Sequence, residues 1–250
     1  MTEASGEPME SLVSHLLELR ARLLKAVLTL TVAFVALLPF ANQLYTWLAE
    51  PLLRTLPKGG QLVAIEVTST FFVPMKLVFF AALMIAMPVM LYQLWAFVAP
   101  GLYQNEKKLA RPLLFAATVL FYLGCAFTYF ALLPVMFAYL NSTAPAGVTM
   151  MTDIGHYLDF VLVMFLAGGV SFEVPIAVII AVILGWVKPE QLSEWRGYVI
   201  VAIFIIAAIL TPPDGLSQIM LALPMCALYE LGVLMARMLK KRNGQAAGPA

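Results

Sequence analysis

The sequence has few charged residues. Only 12% of its 250 residues are Asp, Glu, Lys or Arg, about half of the share that a soluble domain usually carries. Hydrophobic residues make up 62%, which is more apolar surface than a water-soluble fold of this size can bury. The formal net charge is +1, so no overall positive field favours binding to nucleic acid. This composition predicts an integral membrane protein.

Cysteine and histidine are scarce, with two residues of each type. Cys125 and Cys226 lie inside apolar runs, which predicts buried thiols rather than a disulfide or a thiolate metal site. His15 and His156 lie outside the apolar runs, so we expect no histidine within the membrane to act as a base. A protease with paired aspartates needs two acids on facing spans, whereas the candidates lie near loops or helix ends: Asp153, Asp159 and Asp214. We therefore expect no enzyme activity, no cofactor and no metal site.

Long apolar runs dominate the chain. A helix that crosses about 30 Å of hydrocarbon needs about 20 apolar residues, and the sequence offers six candidate runs. We predict an all-α, polytopic transmembrane domain over residues 1–240 and a disordered cytoplasmic tail at 241–250, where Gly, Ala, Gln and Pro dominate. The predicted spans are residues 22–41, 73–98, 110–137, 158–186, 196–211 and 215–236.

The last two predicted spans are short. The uninterrupted run from Gly197 to Leu210 covers only about 21 Å as a helix. Pro212 and Pro213 end the fifth helix, since consecutive prolines cannot continue it, and Asp214 is placed to cap the sixth. Short spans suggest a surface that contacts partner helices rather than plain lipid.

Positive charge is distributed unevenly between the two sides of the predicted bundle. Of the 15 Lys and Arg residues, only Arg54, Lys58 and Lys76 fall on the poorer side. The positive-inside rule makes the richer side cytoplasmic. Both termini and the loops near 99–110 and 187–195 are then cytoplasmic, and the loops near 42–72 and 138–157 are extracytoplasmic.

Glu173 is the ionisable side chain placed near the middle of a predicted span. A charge at the bilayer centre costs roughly 2.5–3.5 kcal/mol on the lenient insertion scale. The carboxyl either bonds backbone groups freed by Pro175 or provides a polar contact for another membrane helix or a passing segment. Gln93 and Gln218 are weaker signals of the same kind, because a neutral amide often simply joins neighbouring helices.

Glu18 and Glu106 are acids on the otherwise basic side. Glu18 is spaced to pair with Arg22 one turn later, a contact worth about 0.2–0.5 kcal/mol. Glu106 is favourable in the first turn of the third span, with Asn105 as its N-cap. Taken together, two carboxylates at one membrane surface could bind two guanidinium groups in bidentate fashion.

Several of these segments resemble the TatC family, the polytopic receptor subunit of the twin-arginine protein translocase. The matching motifs occur in the right order over nearly the whole chain. They are HLLELRARL at 15–23, EPL at 50–52, WAFVAPGLY at 95–103, SFEVP at 171–175 and TPPD at 211–214.

The resemblance implies a receptor rather than an enzyme. Such a protein binds the twin-arginine signal peptides of folded cargo proteins. It exports them across the bacterial cytoplasmic (inner) membrane using the proton-motive force. Its implied partners are single-span TatA/TatB-type subunits, the lipid bilayer and further copies of the chain, as a homo-oligomer within a receptor complex.

The resemblance also assigns roles to individual residues. Glu106 is the first expected contact for the arginine pair and Glu18 the next. The residues expected to shape this signal-peptide site are Arg20, Phe97, Pro100, Leu102 and Tyr103. Roles in partner-helix contact or translocation fall to Pro51, Glu173, Asp214 and Gln218.

Two other functions are compatible with the composition. A proton-coupled secondary transporter would use Glu173 as its coupling carboxyl, although the chain lacks an evident internal repeat of the kind many transporters have. A purely structural membrane scaffold would tolerate replacement of both Glu106 and Glu173 without loss of export.

Overall fold

The computed structural model describes the backbone of residues 7–55, 61–98, 107–143, 151–211 and 214–246. Nearly all of this backbone is helical, which confirms the all-α prediction. The helices are α1 (Glu7–Leu37), α2 (Ala41–Thr55), α3 (Ser69–Val98), α4 (Lys107–Phe127), α5 (Leu133–Ser142), α6 (Ile154–Phe172), α7 (Val174–Ile183), α8 (Pro189–Glu194), α9 (Arg196–Leu210) and α10 (Gly215–Ala246). Two short strands, β1 (Gln61–Val63) and β2 (Met151–Asp153), complete the described elements.

Five helical stretches in the described part of the chain are long and apolar enough to cross a membrane. They are Leu16–Glu50, Ser69–Phe97, Arg111–Ser142, Ile154–Ile183 and Gly215–Met238. The apolar helix α9 is shorter, with 15 residues, or about 22 Å of helix. The chain is therefore a polytopic membrane protein with one short apolar helix beside five long ones.

The sixth predicted span is not short, so that part of the prediction is wrong. Its apolar stretch extends over 24 residues, and α10 continues as far as Ala246. The backbone is thus helical through part of the segment 241–250 that the sequence predicts to be disordered. Arg, Met, Leu and Lys, which favour helix, occupy the positions where the apolar stretch ends and prolong the helix.

The regular α-helix is interrupted at a proline in two of the spans. At Pro39 a short 3-10 turn, Leu38–Phe40, links α1 to α2. The first span therefore continues as helix into the region 42–72 that the sequence analysis treats as a loop. At Pro134, which cannot donate a backbone hydrogen bond, a π-helical segment, Thr128–Leu132, joins α4 to α5. At both prolines the chain stays helical, so the span continues.

Strands β1 and β2 form a parallel pair that joins two loops at one end of the bundle. Gln61, Leu62 and Val63 pair with Met151, Thr152 and Asp153 in that order. We call this end of the bundle the strand end, and it also includes the connection between α9 and α10. The opposite, basic end comprises the start of α1, the end of α3, α8 and the end of α10.

Small residues let the central helices approach closely. A side chain at Gly124 of α4 would clash with the carbonyl oxygen of Gly168 on α6, and one at Gly168 would clash with Thr128 Oγ1. On the other side of the bundle, a Cβ at Gly232 of α10 would lie 2.8 Å from Pro175 Cα at the start of α7. Close backbone approach through small residues is a common basis of helix packing in membranes.

Candidate functional site

An ion pair on α1 occupies the basic end. Arg22 Nε donates a hydrogen bond to Glu18 Oε1 at 3.0 Å, and the Nη2 of the same arginine binds the same oxygen. The Arg22 side chain is 23% exposed and the Glu18 side chain is 36% exposed. This confirms the predicted pairing one helical turn apart. The Glu18 carboxylate is thus accessible from the surface, but a guanidinium of its own helix already binds it.

A pocket of about 320 Å³ lies beside this ion pair, between α1 and α3. Almost all of its lining atoms are apolar, and its few polar groups come from Arg22 and Gln93. Its apolar walls include Leu19, Ala26, Met87, Met90 and Phe97. The sequence analysis missed this pocket, because it depends on how α1 and α3 pack and not on a local motif.

The other residues predicted for the signal-peptide site are only partly visible. Arg20 is exposed on α1, and Phe97 is half-buried in the wall of the pocket. The structure therefore places Glu18, Arg20 and Phe97 at the basic end. Only Phe97 and the Glu18-bound Arg22 meet in one pocket. The remaining four lie outside the described residues: Pro100, Leu102, Tyr103 and Glu106.

Glu173 lies at the break between α6 and α7. Its N–H bonds the carbonyl oxygen of Val170 at 3.0 Å, and its own carbonyl accepts from Ala177 at 2.9 Å. The break follows from Pro175, which cannot donate to the preceding turn. The half-buried Glu173 side chain makes no capping bond, and its Oε1 is buried without a hydrogen-bond partner among the residues that the structure describes. Its carboxyl therefore does not bond the backbone that the proline frees.

Two further predicted residues lie together at the start of α10. Asp214 Oδ1 accepts a hydrogen bond from the N–H of Ser217 at 2.7 Å, which confirms the predicted N-cap. Gln218 Nε2 donates to the carbonyl oxygen of Phe204 at 3.0 Å and so joins α10 to α9. No hydrogen bond among the described residues joins either of them to Glu173. Pro51 belongs to α2, but its side chain lies outside the described residues.

Asp153 organises the strand end, a role that sequence reasoning missed. Its Oδ1 accepts from the N–H groups of Gly155 and His156 and caps α6, while its Oδ2 accepts from Ile65 at 3.1 Å. These hydrogen bonds, from His156, Ile65 and Gly155, lower the pKa of Asp153 below its ordinary value of 3.8. A Thr-Asp pair before an apolar helix is a recognisable N-cap pattern, but the contact to Ile65 is visible only in the fold.

A second ion pair connects two spans towards the same end. Lys76 Nζ on α3 donates to both carboxylate oxygens of Asp159 on α6, at 2.9 and 3.1 Å. Both side chains are about half exposed. The pair neutralises one of the three positive charges that the sequence analysis assigns to the poorer side. Among the residues described, no group of three or more His, Cys, Asp or Glu side chains is arranged to hold a metal ion.

Comparisons with known proteins agree on one family. The family model for TatC, the Sec-independent protein translocase protein, matches residues 14–224. TatC of Haemophilus influenzae is 49% identical over 238 residues, covering 95% of this chain and 93% of the relative. TatC of Escherichia coli K12 is 46% identical over 233 residues, covering 93% and 90%. TatC of Halothiobacillus neapolitanus is 52% identical over 233 residues, 93% of this chain, but the match spans only 64% of that relative's length.

A solved structure has the same fold. The crystal structure of a twin-arginine translocase receptor, TatC, aligns with a TM-score of 0.79 at 34% sequence identity. The alignment covers 90% of this chain and 98% of the solved chain. A second crystal structure of the receptor, in DDM, aligns with a TM-score of 0.80, covering 89% and 99%.

Proposed function

Because this chain belongs to the TatC family of Sec-independent protein translocase proteins, we propose that it receives twin-arginine signal peptides at its basic end. The chain is a protein-transport subunit of the membrane. We propose the bacterial inner membrane as its location, with the basic end and both termini in the cytoplasm. The proton-motive force then drives export of the folded cargo.

The observation that carries this proposal is the geometry of Glu18. Its carboxylate binds a guanidinium through two nitrogens, the kind of contact that an incoming arginine would make. Arg22, which binds it now, is held by a one-turn pair worth only about 0.3–0.5 kcal/mol. A signal arginine can therefore replace it at low cost.

A second carboxylate is needed for useful affinity. One exposed ion pair contributes only about 0–1 kcal/mol, whereas hydrogen bonds to charged groups reach roughly 1.5–3 kcal/mol each. Glu106, nine residues after Phe97 in the sequence, is the proposed partner of Glu18, with Arg20, Pro100, Leu102 and Tyr103 shaping the site. Lysine pairs are discriminated against, because an ammonium cannot fork onto a carboxylate.

We propose that α9 is the docking surface for a single-span TatA/TatB-type partner. Its four most exposed large apolar side chains recur every three or four residues and form one stripe. This stripe consists of Tyr198, Val201, Ile205 and Ile209. Because α9 is short, the bundle is thinner there than the bilayer, and a partner helix can cover the exposed surface. Asp214 and Gln218 lie at the edge of this surface. Further copies of the chain complete the receptor complex.

Glu173 is assigned a role in translocation rather than in cation transport. A buried carboxylate oxygen without a partner in the described part of the chain is costly, and a polar group from a passing segment or partner helix would satisfy it. The family relationship favours this assignment over the proton-coupled transporter. Pro51, at the end of the first span, is the remaining residue that the family resemblance places in translocation.

Export of a reporter in cells lacking their own copy of this subunit tests the signal site. Glu106→Arg is expected to abolish export of a twin-arginine reporter, because it repels the signal, and Glu18→Arg to do the same. A reporter whose signal carries two glutamates should regain export with the doubly reversed receptor. Normal export by both reversed single variants would contradict the proposal, and matched protein levels in the membrane are the control.

Photo-crosslinking tests the partner surface. A benzophenone amino acid at Ile205, which is exposed on α9, should capture a single-span subunit. The same group at Ile203, which is 5% exposed on the same helix, is the matched control and should capture none. Equal capture at both positions, or none at Ile205, would contradict the proposed docking surface.

A further inference from the structure

The pocket between α1 and α3 lies directly against the proposed arginine site. Arg22 belongs to both, since it binds Glu18 and also lines the pocket. Leu19, next in the chain after Glu18, is a pocket residue as well. Phe97 closes the same pocket from α3, nine residues before Glu106 in the sequence. A ligand held by Glu18 therefore has an apolar recess within reach of its neighbouring residues.

The lining of the recess suits a variable apolar side chain rather than one fixed ligand. Met87 and Met90 contribute flexible, polarisable thioethers, which adapt to apolar groups of different shape. The volume of about 320 Å³ is at the lower end for small-ligand pockets. Arg22 and Gln93 supply the polar groups at the pocket. The recess therefore combines a charged border with an adaptable apolar interior.

We propose that this pocket is a subsite that takes a large apolar side chain from the hydrophobic stretch of the signal peptide. The inference rests on the proposed function, because the arginine pair brings the apolar stretch to the recess. The signal peptide then makes two linked contacts. The acids bind its arginine pair, and the pocket selects for the size of an apolar side chain at a fixed distance from that pair. We infer this occupant because the recess is continuous with the arginine site.

Filling the pocket tests the inference. Ala26 is half-buried in the pocket wall, and Ala26→Phe places a ring in the space. Ala36, exposed further along α1 and outside this pocket, gives Ala36→Phe as the matched control. Binding is measured in lipid nanodiscs with two labelled peptides, each having an arginine pair followed by an apolar stretch. One stretch is built from leucine and the other from alanine.

We expect Ala26→Phe to weaken binding of the leucine peptide about tenfold and to leave binding of the alanine peptide within about twofold. Retained binding of the alanine peptide shows that the variant is folded, and Ala36→Phe should change neither affinity. Unchanged binding of both peptides would overturn the inference and leave the recess to a lipid chain. An equal loss for both peptides would also overturn it, since the ring would then act through the charged site.

The proposed function fails in a different arm of the same experiment. A peptide with a lysine pair and the leucine stretch is measured on the unaltered protein. If it binds as tightly as the arginine peptide, the receptor proposal fails whatever the pocket variants do. If the arginine peptide binds more tightly than the lysine peptide, but Ala26→Phe affects the leucine and alanine peptides alike, only the subsite proposal fails.

Discussion

At the scale of single residues, Arg22 occupies the place on Glu18 that the proposed function gives to an arginine of the signal. It binds the carboxylate that the proposed function assigns to an incoming arginine, so binding exchanges one guanidinium for another. In this pair, Arg22 orients the Glu18 carboxylate on α1. The spacing of Glu18 and Arg22 in the sequence predicts this contact, because residues four apart on a helix are neighbours.

Arg22→Gln should therefore tighten binding of a twin-arginine peptide by about twofold, since the lost pair was worth roughly 0.3–0.5 kcal/mol. Lys25→Gln is the matched control, because it removes the same charge from the next turn of α1 and leaves the Glu18 pair intact. Fluorescence anisotropy of a labelled peptide gives both affinities. Weaker binding with Arg22→Gln would instead make Arg22 part of the recognition site.

Asp153 gives the strand end a dependence on pH. Its pKa lies below the ordinary value of 3.8, so its bonds to α6 and Ile65 stabilise the fold fully above that value. This stabilisation is lost as the pH falls through the lowered pKa of the folded state. Asp153→Ala should lower the thermal midpoint at pH 7 by about 2–4 °C.

The difference between Asp153→Ala and the unaltered chain should shrink at pH 3. Thermal unfolding in detergent at both pH values measures it. Glu66→Ala removes an exposed acid at the same end of the bundle that lies outside the cap, and it provides the control. A difference that is equally large at pH 3 and pH 7 would show that the contacts of the Asp153 carboxylate do not depend on its ionisation.

At the scale of helices, the sequence predicts where apolar segments lie but not how the α-helix is interrupted within them. The predicted spans overlap all six apolar helical stretches, because length and hydropathy are local properties. Pro39, Pro134 and Pro175 are equally visible in the sequence, yet their local structures differ. Pro39 lies in a 3-10 turn, Pro134 follows a π-helical segment and Pro175 follows a helix break. Tertiary packing selects among these outcomes, so local reasoning cannot.

The same limit applies to the contacts between elements. The strands β1 and β2 are three residues each, too short to produce an alternating pattern, and they pair only because two loops meet. The Lys76–Asp159 ion pair and the α1–α3 pocket likewise join segments that are far apart in the chain. For the candidate site, the sequence predicts the acids at the basic end but not the recess beside them.

Close packing of α4 against α6 should be sensitive to one methyl group. Gly168→Ala places its Cβ against Thr128 Oγ1, and overpacking of this kind costs about 1–3 kcal/mol. Gly197→Ala is the control, because nothing lies within 4 Å of its Cβ. Thermal unfolding should show a lower midpoint for Gly168→Ala only. Equal midpoints would mean that α4 and α6 are less closely packed than described.

At the scale of the whole molecule, an even number of crossings places both termini on one side. The five long helical stretches and the short α9 together give six crossings in the proposed topology. Most Lys and Arg residues then lie at the basic end, and Asp159 pairs with Lys76, one of the three on the other side. The proposed arginine site faces the compartment in which cargo folds.

Single cysteines test this topology in a chain whose Cys125 and Cys226 are replaced by alanine. Thr68 lies at the strand end and Glu194 at the basic end, and both are exposed. In spheroplasts, a membrane-impermeant maleimide should label Thr68→Cys and should label Glu194→Cys only after the membrane is opened. The reverse labelling pattern would contradict the proposed topology, because it would place the signal site on the extracytoplasmic side.

Binding of a twin-arginine peptide to the purified chain in lipid nanodiscs is the most direct test of the receptor proposal. Replacing both arginines with lysine, or introducing Glu106→Gln or Glu18→Gln, should each weaken saturable binding by about tenfold or more, equivalent to about 1.4 kcal/mol. Equal affinity in all four measurements would mean that the carboxylates at the basic end do not recognise the arginine pair.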